Sequence, residues 1–138
     1  VCLDRTKDDI AARTKELTGA KGVPVVFDSV GKDSFEASLH SLAPRGFFVS
    51  FGQVTGHPPP VTGAMLQKLG SLYFTRPTLA TYAADSGEMR ESAAMVFDRL
   101  LRGVVKVSIN QTYALADVVT AHKNLQSGAT SGSTVLIP

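Results

Sequence analysis

Two runs constrain this chain more than any other feature: Val25-Val26-Phe27-Asp28-Ser29-Val30-Gly31 and Gly46-Phe47-Phe48-Val49-Ser50-Phe51-Gly52. Each is an apolar stretch that stops abruptly at small and polar residues. Buried parallel strands have this form where they deliver the chain to a ligand crevice. A helical pattern lies between the two runs, which makes a βαβ unit, and the carboxyl ends of such strands are where open α/β sheets bind ligands. The usual phosphate turn of a nucleotide fold does not precede them, because the chain contains no Gly-x-Gly-x-x-Gly. The pattern therefore reads as the second half of a larger arrangement.

Composition narrows the possibilities. The 138 residues are 43% hydrophobic, enough for one ordinary globular domain with a real core. Fourteen basic and 12 acidic residues leave a net charge of +2, and the basic residues are scattered rather than striped. No nucleic-acid partner is expected from such a balance, and no membrane partner either. No segment is long enough to cross a bilayer. Asp4, Lys7, Asp8 and Asp9 leave no apolar core for a secretory signal at the start. Cys2 is the single cysteine, so an internal disulfide and a cysteine cage for a metal are excluded, which suits the cytoplasm. The first residue is Val1 rather than Met and opens mid-pattern, which suggests truncation; a processed start is the alternative.

Along the chain, Val1 to Leu3 reads as the end of a strand. Thr6 reads as a helix N-cap with Asp9 three residues on, and Gly19-Ala20-Lys21-Gly22 as the helix stop. Val23 to Phe27 is the first clear strand, with Pro24 near its start. A helix over Asp33 to Leu42 follows, then a turn at Pro44-Arg45-Gly46 and a second strand over Phe47 to Phe51. Gly52 to Gly63 carries His57-Pro58-Pro59-Pro60 and must be loop. A short helix over Ala64 to Leu69 and a strand over Ser71 to Thr75 complete a βαβαβ alternation. Beyond Pro77 the regular rhythm is lost. A long helix capped by Asp85 or Ser86 runs to Arg102, with Met89, Ala93, Val96, Phe97, Leu100 and Leu101 expected inward. Val104 to Ile109 reads as extended and Ala116 to Leu125 as helical, with Leu115, Val118, Val119, Ala121, His122 and Leu125 as buried candidates. Thr134 to Ile137 reads as a last strand.

The run from Phe27 to Leu39, then Arg45-Gly46, Val49 to Gly52, Gly70 to Pro77 and Gly132 to Pro138, closely resembles the NADPH:quinone oxidoreductases. These form the zinc-free, zeta-crystallin-like branch of the medium-chain dehydrogenase/reductase superfamily. The resemblance covers almost the whole chain. It implies an α/β fold: residues 1–77 as the second half of a doubly wound Rossmann sheet binding NADP(H), and residues 78–138 as a segment that returns to a catalytic domain. It also implies hydride transfer from NADPH to a quinone or another small electrophilic acceptor, and a homodimer formed through the Ser71–Thr75 strand.

The resemblance carries over residue by residue. By the resemblance Ser29 falls on the adenosine side of NADPH; read from composition alone, a helix-capping Asp-Ser turn is the favoured alternative. Phe51, Gly52, Gln53 and Val54 line the nicotinamide ribose and pyrophosphate, with Gly52 allowing close backbone approach. The family often has Asn-Ser in place of Gln53-Val54, so only backbone contacts carry over there. Phe74, Thr75 and Arg76 lie near the nicotinamide carboxamide, with a surface or interface ion pair as the alternative for Arg76. Arg5 stands where the family commonly has Tyr, and is a candidate partner of a 2′-phosphate. Gly128 replaces a common Arg. No catalytic side-chain set is apparent, and His40, His57 and His122 are too dispersed for a zinc site. Alternatives are a related reductase of activated alkenes, or a non-catalytic oligomerising or binding module, since the Val25 strand lacks a neighbour and an unpaired edge invites association.

Overall fold

The computed structural model describes residues 1–138, which form two compact units, Val1–Ala84 and Asp85–Pro138. In the first unit, the elements are α1 (Ile10–Leu17), β1 (Val23–Asp28), α2 (Phe35–Ser41), β2 (Leu42–Ser50), α3 (Gly63–Lys68), β3 (Tyr73–Thr75) and α4 (Leu79–Tyr82). The three strands form a parallel sheet in the order β1-β2-β3, which makes β1 an edge. The expected βαβαβ alternation is therefore present.

The register explains why one face is buried. Val26, Phe48 and Phe74 are paired neighbours across the sheet, and their side chains share one face. On that face α2 supplies Phe35 and Leu39, while α3 supplies Met65 and Leu66, around a core of Phe35, Leu39, Leu42, Phe48 and Leu72. Phe48 meets Phe35 at 5.6 Å and Phe74 edge-on at 5.3 Å. The alternate positions Val25, Phe47 and Tyr73 lie on the opposite face, which no element of this unit covers; Phe47 stacks on Tyr73 at 4.5 Å and both remain exposed.

Several local expectations give way to competing chemistry. Val1 to Leu3 forms no strand. The first helix starts at Ile10 under an Asp9 cap, whose carboxylate accepts from Ala12 N–H at 3.0 Å. Thr6 is instead drawn into a turn by Asp4, which accepts from its N–H at 3.0 Å and its hydroxyl at 2.6 Å. Pro44-Arg45-Gly46 is a bulge inside β2 rather than a turn before it. Leu42 pairs with Val23 and Phe47 with Val25, so Ala43 to Gly46 stand opposite Pro24 alone. Pro24, lacking an N–H, thus occupies the one position of β1 where the ladder is interrupted. Arg45 takes φ +63° there and donates its N–H to the Gly70 carbonyl at 2.8 Å.

The second unit contains α5 (Ser86–Leu101), β4 (Ile109–Ala114), a single 3-10 turn at Leu115–Asp117, α6 (Val118–Gln126) and β5 (Ser133–Ile137). Asp85 caps α5 as expected, accepting from Gly87 and Glu88 N–H at 2.8 and 2.9 Å. β4 and β5 are parallel, so this segment keeps an α/β rhythm of its own, contrary to the sequence reading. The strand lies at Ile109–Ala114 and not at Val104 to Ile109, because β5 offers its partners only to the later residues. The inward assignments also change. Met89, Val96, Phe97 and Leu101 of α5 are exposed, as are Leu115, Val119, His122 and Leu125, and only Ala121 of α6 is buried. No helix is long and apolar enough to cross a membrane.

Candidate functional site

The site is built on Asp28, the last residue of β1. Its side chain is buried, at 4% exposure, and accepts from Val30 N–H at 2.8 Å and Gly31 N–H at 3.1 Å. The Ser34 hydroxyl donates to both oxygens, at 2.8 and 2.7 Å, and the Ser38 hydroxyl donates at 2.5 Å. Burial pushes the Asp28 carboxyl up, but the Ser38, Ser34, Gly31 and Val30 hydrogen bonds outweigh it and hold the group below its ordinary value. The main chain of Asp28 works in the other direction. Its carbonyl accepts from Phe51 N–H at 2.9 Å and Gly52 N–H at 3.3 Å, joining the exits of β1 and β2.

A second set of bonds closes the two exit loops on each other. Val30 carbonyl accepts from Thr55 N–H at 2.9 Å and from its hydroxyl at 3.1 Å, while Asp33 N–H donates to the same hydroxyl at 3.1 Å. Lys32 N–H donates to the Gly56 carbonyl at 3.1 Å. The fit leaves no room for side chains at two points. A Cβ on Gly52 would lie 2.7 Å from the Ser29 Cα and carbonyl carbon, and one on Gly31 would lie 2.9 Å from Gln53 Cα. Gly52 is thus required by the approach of the Ser29 backbone, a reason internal to the fold and different from the cofactor approach suggested by sequence.

Arg76 ties β3 into this assembly. Its Nη1 donates to the Ser50 carbonyl at 3.2 Å, the Ser50 hydroxyl at 3.1 Å and the Gly52 carbonyl at 2.8 Å. Its Nη2 donates to Gln53 Oε1 at 2.9 Å. Ser29, Phe51, Gly52, Gln53 and Arg76 therefore gather at the carboxyl ends of three adjacent parallel strands. Phe51 and Val54 are exposed beside them. Phe74 turns its ring into the core against Phe48, and exposed Thr75 pairs with Val49. Arg5 lies outside this strand-end group, in a cleft of about 380 Å³ lined also by Asp8, Asp9 and Asp33 and by Ser34 and Ser38, whose hydroxyls hold Asp28.

Of the residues that organise the site, Asp28 enters the sequence reading only through the Asp-Ser turn at the strand end, and Ser34, Ser38 and Thr55 have no role in it. Ser34 and Ser38 are four apart across the start of α2, so both hydroxyls share a helical face directed at the end of β1. An acid at a strand end followed by that hydroxyl pair is the available signal.

The family model described as zinc-binding dehydrogenase matches residues 1–136. The chain belongs to this family. It is 46% identical over 139 aligned positions to a quinone oxidoreductase of Pseudomonas aeruginosa, covering 99% of this chain and 42% of the relative. The crystal structure of Escherichia coli quinone oxidoreductase complexed with NADPH superposes with a TM-score of 0.91 at 43% identity, over 99% of this chain and 42% of that one. A 2-haloacrylate reductase of Burkholderia is 37% identical over 99% of this chain and 41% of its own length. The chain thus spans about two fifths of these relatives. The family resemblance read from the sequence and its α/β fold are both borne out.

Zinc does not fit the residues present. His40 lies 3.6 Å from Glu36 on an exposed helix face, His57 and His122 are exposed elsewhere, and no three His, Cys, Asp or Glu side chains converge to hold a metal ion.

Proposed function

We propose that this chain supplies one wall of an NADP(H) site in an enzyme that transfers hydride to a quinone. The observation that carries the reading is the gathering of Ser29, Gly52, Gln53 and Arg76 at the carboxyl ends of three adjacent parallel strands, the position where open α/β sheets bind nucleotides. The likeness to quinone oxidoreductases, one of them complexed with NADPH, supports the choice of ligand.

NADPH, when bound, supplies the hydride, and the protein contributes binding, orientation and exclusion of water. The exit loop of β2 offers Gln53 and Val54, whose N–H groups donate to no other backbone group and are suited to phosphate oxygens. Exposed Phe51 offers an aromatic surface, and Ser29 a hydroxyl next to the loop. The backbone at Phe74 and Thr75 is assigned to the carboxamide. Arg5 is kept as the candidate for a 2′-phosphate, although three carboxylates share its cleft. We place the enzyme in the cytoplasm, as a homodimer paired through β3, the second edge of the sheet. We assign residues 78–138 to the catalytic domain of the whole enzyme.

The 37% identity to 2-haloacrylate reductase supports a second acceptor class, the activated alkenes. The chain has no glycine-rich phosphate turn, so by itself it is expected to bind NADPH weakly and to reduce no quinone. Titrating NADPH into isotope-labelled chain tests the reading. Amide shifts are expected first at Ser29, Phe51 to Val54 and Phe74 to Arg76. Shifts confined to other residues would sink it, and quinone turnover at a complete enzyme's rate would refute the one-wall assignment.

A further inference from the structure

Arg76 has no carboxylate partner. Every acceptor around its guanidinium is neutral: two backbone carbonyls, one hydroxyl and one side-chain amide. All four acceptors belong to residues 50–53, the exit of β2, while Arg76 itself follows β3. Ser50 is essentially inaccessible at 1% exposure, whereas Gln53 is exposed, so the planar fork bridges from the buried strand end to the outermost turn of the loop. A guanidinium does this because its donors are fixed in one plane; an ammonium presents three donors at a single point and cannot span the same acceptors.

We infer that Arg76 is a positioning residue, which with Gln53 fixes the β2 exit loop in its cofactor-ready shape rather than gripping the cofactor by charge. The inference rests on the NADP(H) reading for what the loop is shaped to meet, and on hydrogen-bond geometry for the clamp itself. Both Nη groups are already committed to the loop. Gln53 Oε1 is the end point of the clamp, so its side chain acts on the loop and not on the ligand. The arrangement also holds the Gly52 carbonyl, at a residue that Ser29 backbone approaches too closely to admit a Cβ.

The test uses the full chain with Arg76→Met, Arg76→Lys and Gln53→Ala. Amide exchange is read at Gly52, Thr55 and Gly56, with Phe48 as the core control. Loss of charged hydrogen bonds is expected to speed loop exchange by about tenfold in R76M and R76K alike, and by about threefold in Q53A, with Phe48 unchanged. NADPH titrations should weaken by similar factors in R76M and R76K, and the ratio to wild type should not change with salt. Recovery of both exchange and binding in R76K, or a strongly salt-dependent ratio, would assign Arg76 to direct charge contact and overturn the inference. So would unchanged loop exchange in R76M and Q53A. Where R76M unfolds, Q53A still decides, because it leaves Arg76 and its three other bonds in place. If wild-type chain shows no NADPH-dependent shifts at all, the cofactor reading fails while the exchange arm still judges the clamp.

Discussion

Replacing Asp28 with Asn separates charge from shape at the point where the site is organised. Asn keeps one acceptor oxygen, which can still take the Val30 and Gly31 amides. The second oxygen becomes an NH₂, so the Ser38 hydroxyl must reverse and accept, while Ser34 keeps Oδ1 as an acceptor at 2.8 Å. The bonds that Asp28 accepts thereby change from charge-assisted to neutral, and the smaller desolvation cost of a neutral amide offsets part of that loss. Hydrogen bonds to charged groups contribute about 1.5–3 kcal/mol against about 1 for neutral ones, so the expected loss is about 1–3 kcal/mol in unfolding free energy. The pH dependence gives an independent check. The folded Asp28 carboxyl sits below its unfolded value, so its stabilisation is fully present above the unfolded value of about 3.8 and is lost as pH falls through the folded one. Urea unfolding followed by far-ultraviolet circular dichroism, repeated from neutral pH down into that acid range, measures both. Wild type should lose stability on acidification more steeply than D28N, with the residual slope of D28N including exposed Asp4, whose carboxyl is lowered chiefly by Thr6. A D28N variant within about 0.5 kcal/mol of wild type at neutral pH, or one with the same acid slope, would refute the reasoning.

Glycine substitutions should divide sharply. Gly52→Ala places a methyl 2.7 Å from Ser29 backbone and is expected to cost about 2–3 kcal/mol, whereas Gly63→Ala, with nothing within 4 Å in the first turn of α3, should be neutral or gain up to about 1 kcal/mol; thermal melts of both decide it. Thr55→Val keeps the shape but removes the hydroxyl between Val30 and Asp33, for a loss of about 1–2 kcal/mol and faster exchange at Asp33. Phe48→Ala in the covered face should cost about 3–5 kcal/mol, while Phe27→Thr, at a position 72% exposed on the open face, should change stability by less than about 1 kcal/mol. Equal losses at Phe27 and Phe48 in urea titrations would mean that both faces of the sheet are covered in solution.

What was legible in the sequence follows from how locally each feature is encoded. Strands β1 and β2 and the span of α5 are written in contiguous residues: β-branched and aromatic runs in the first case, an Asp85 cap and a Gly103 stop in the second. The failures are of two physical kinds. Where two local signals compete, the stronger hydrogen bond wins, as when Asp4 claims Thr6 and leaves the cap of α1 to Asp9. Where the answer depends on a distant partner, local pattern is silent. The run Val104 to Val107 has good strand residues, yet β5 pairs from Ile109 onward. Helical periodicity shows which side of α5 is apolar without showing whether anything covers it, and Phe97 and Leu101 remain exposed.

The site shows the same division and explains why its most consequential residues were the hardest to read. The strand ends at Ser29 and Gly52 announce themselves by a change of residue type. Their support does not: Asp28 reaches six and ten residues ahead to Ser34 and Ser38, Val30 reaches 25 ahead to Thr55, and Arg76 reaches 23 back to Gln53. Each bond joins segments that only the parallel sheet brings together. A crevice can therefore be located from the strands alone, but the hydrogen bonds that hold its shape lie in residues whose roles appear only after folding. The substitutions at Asp28, Thr55 and Arg76 accordingly test the site more stringently than changes to the exposed Ser29, Phe51 or Val54.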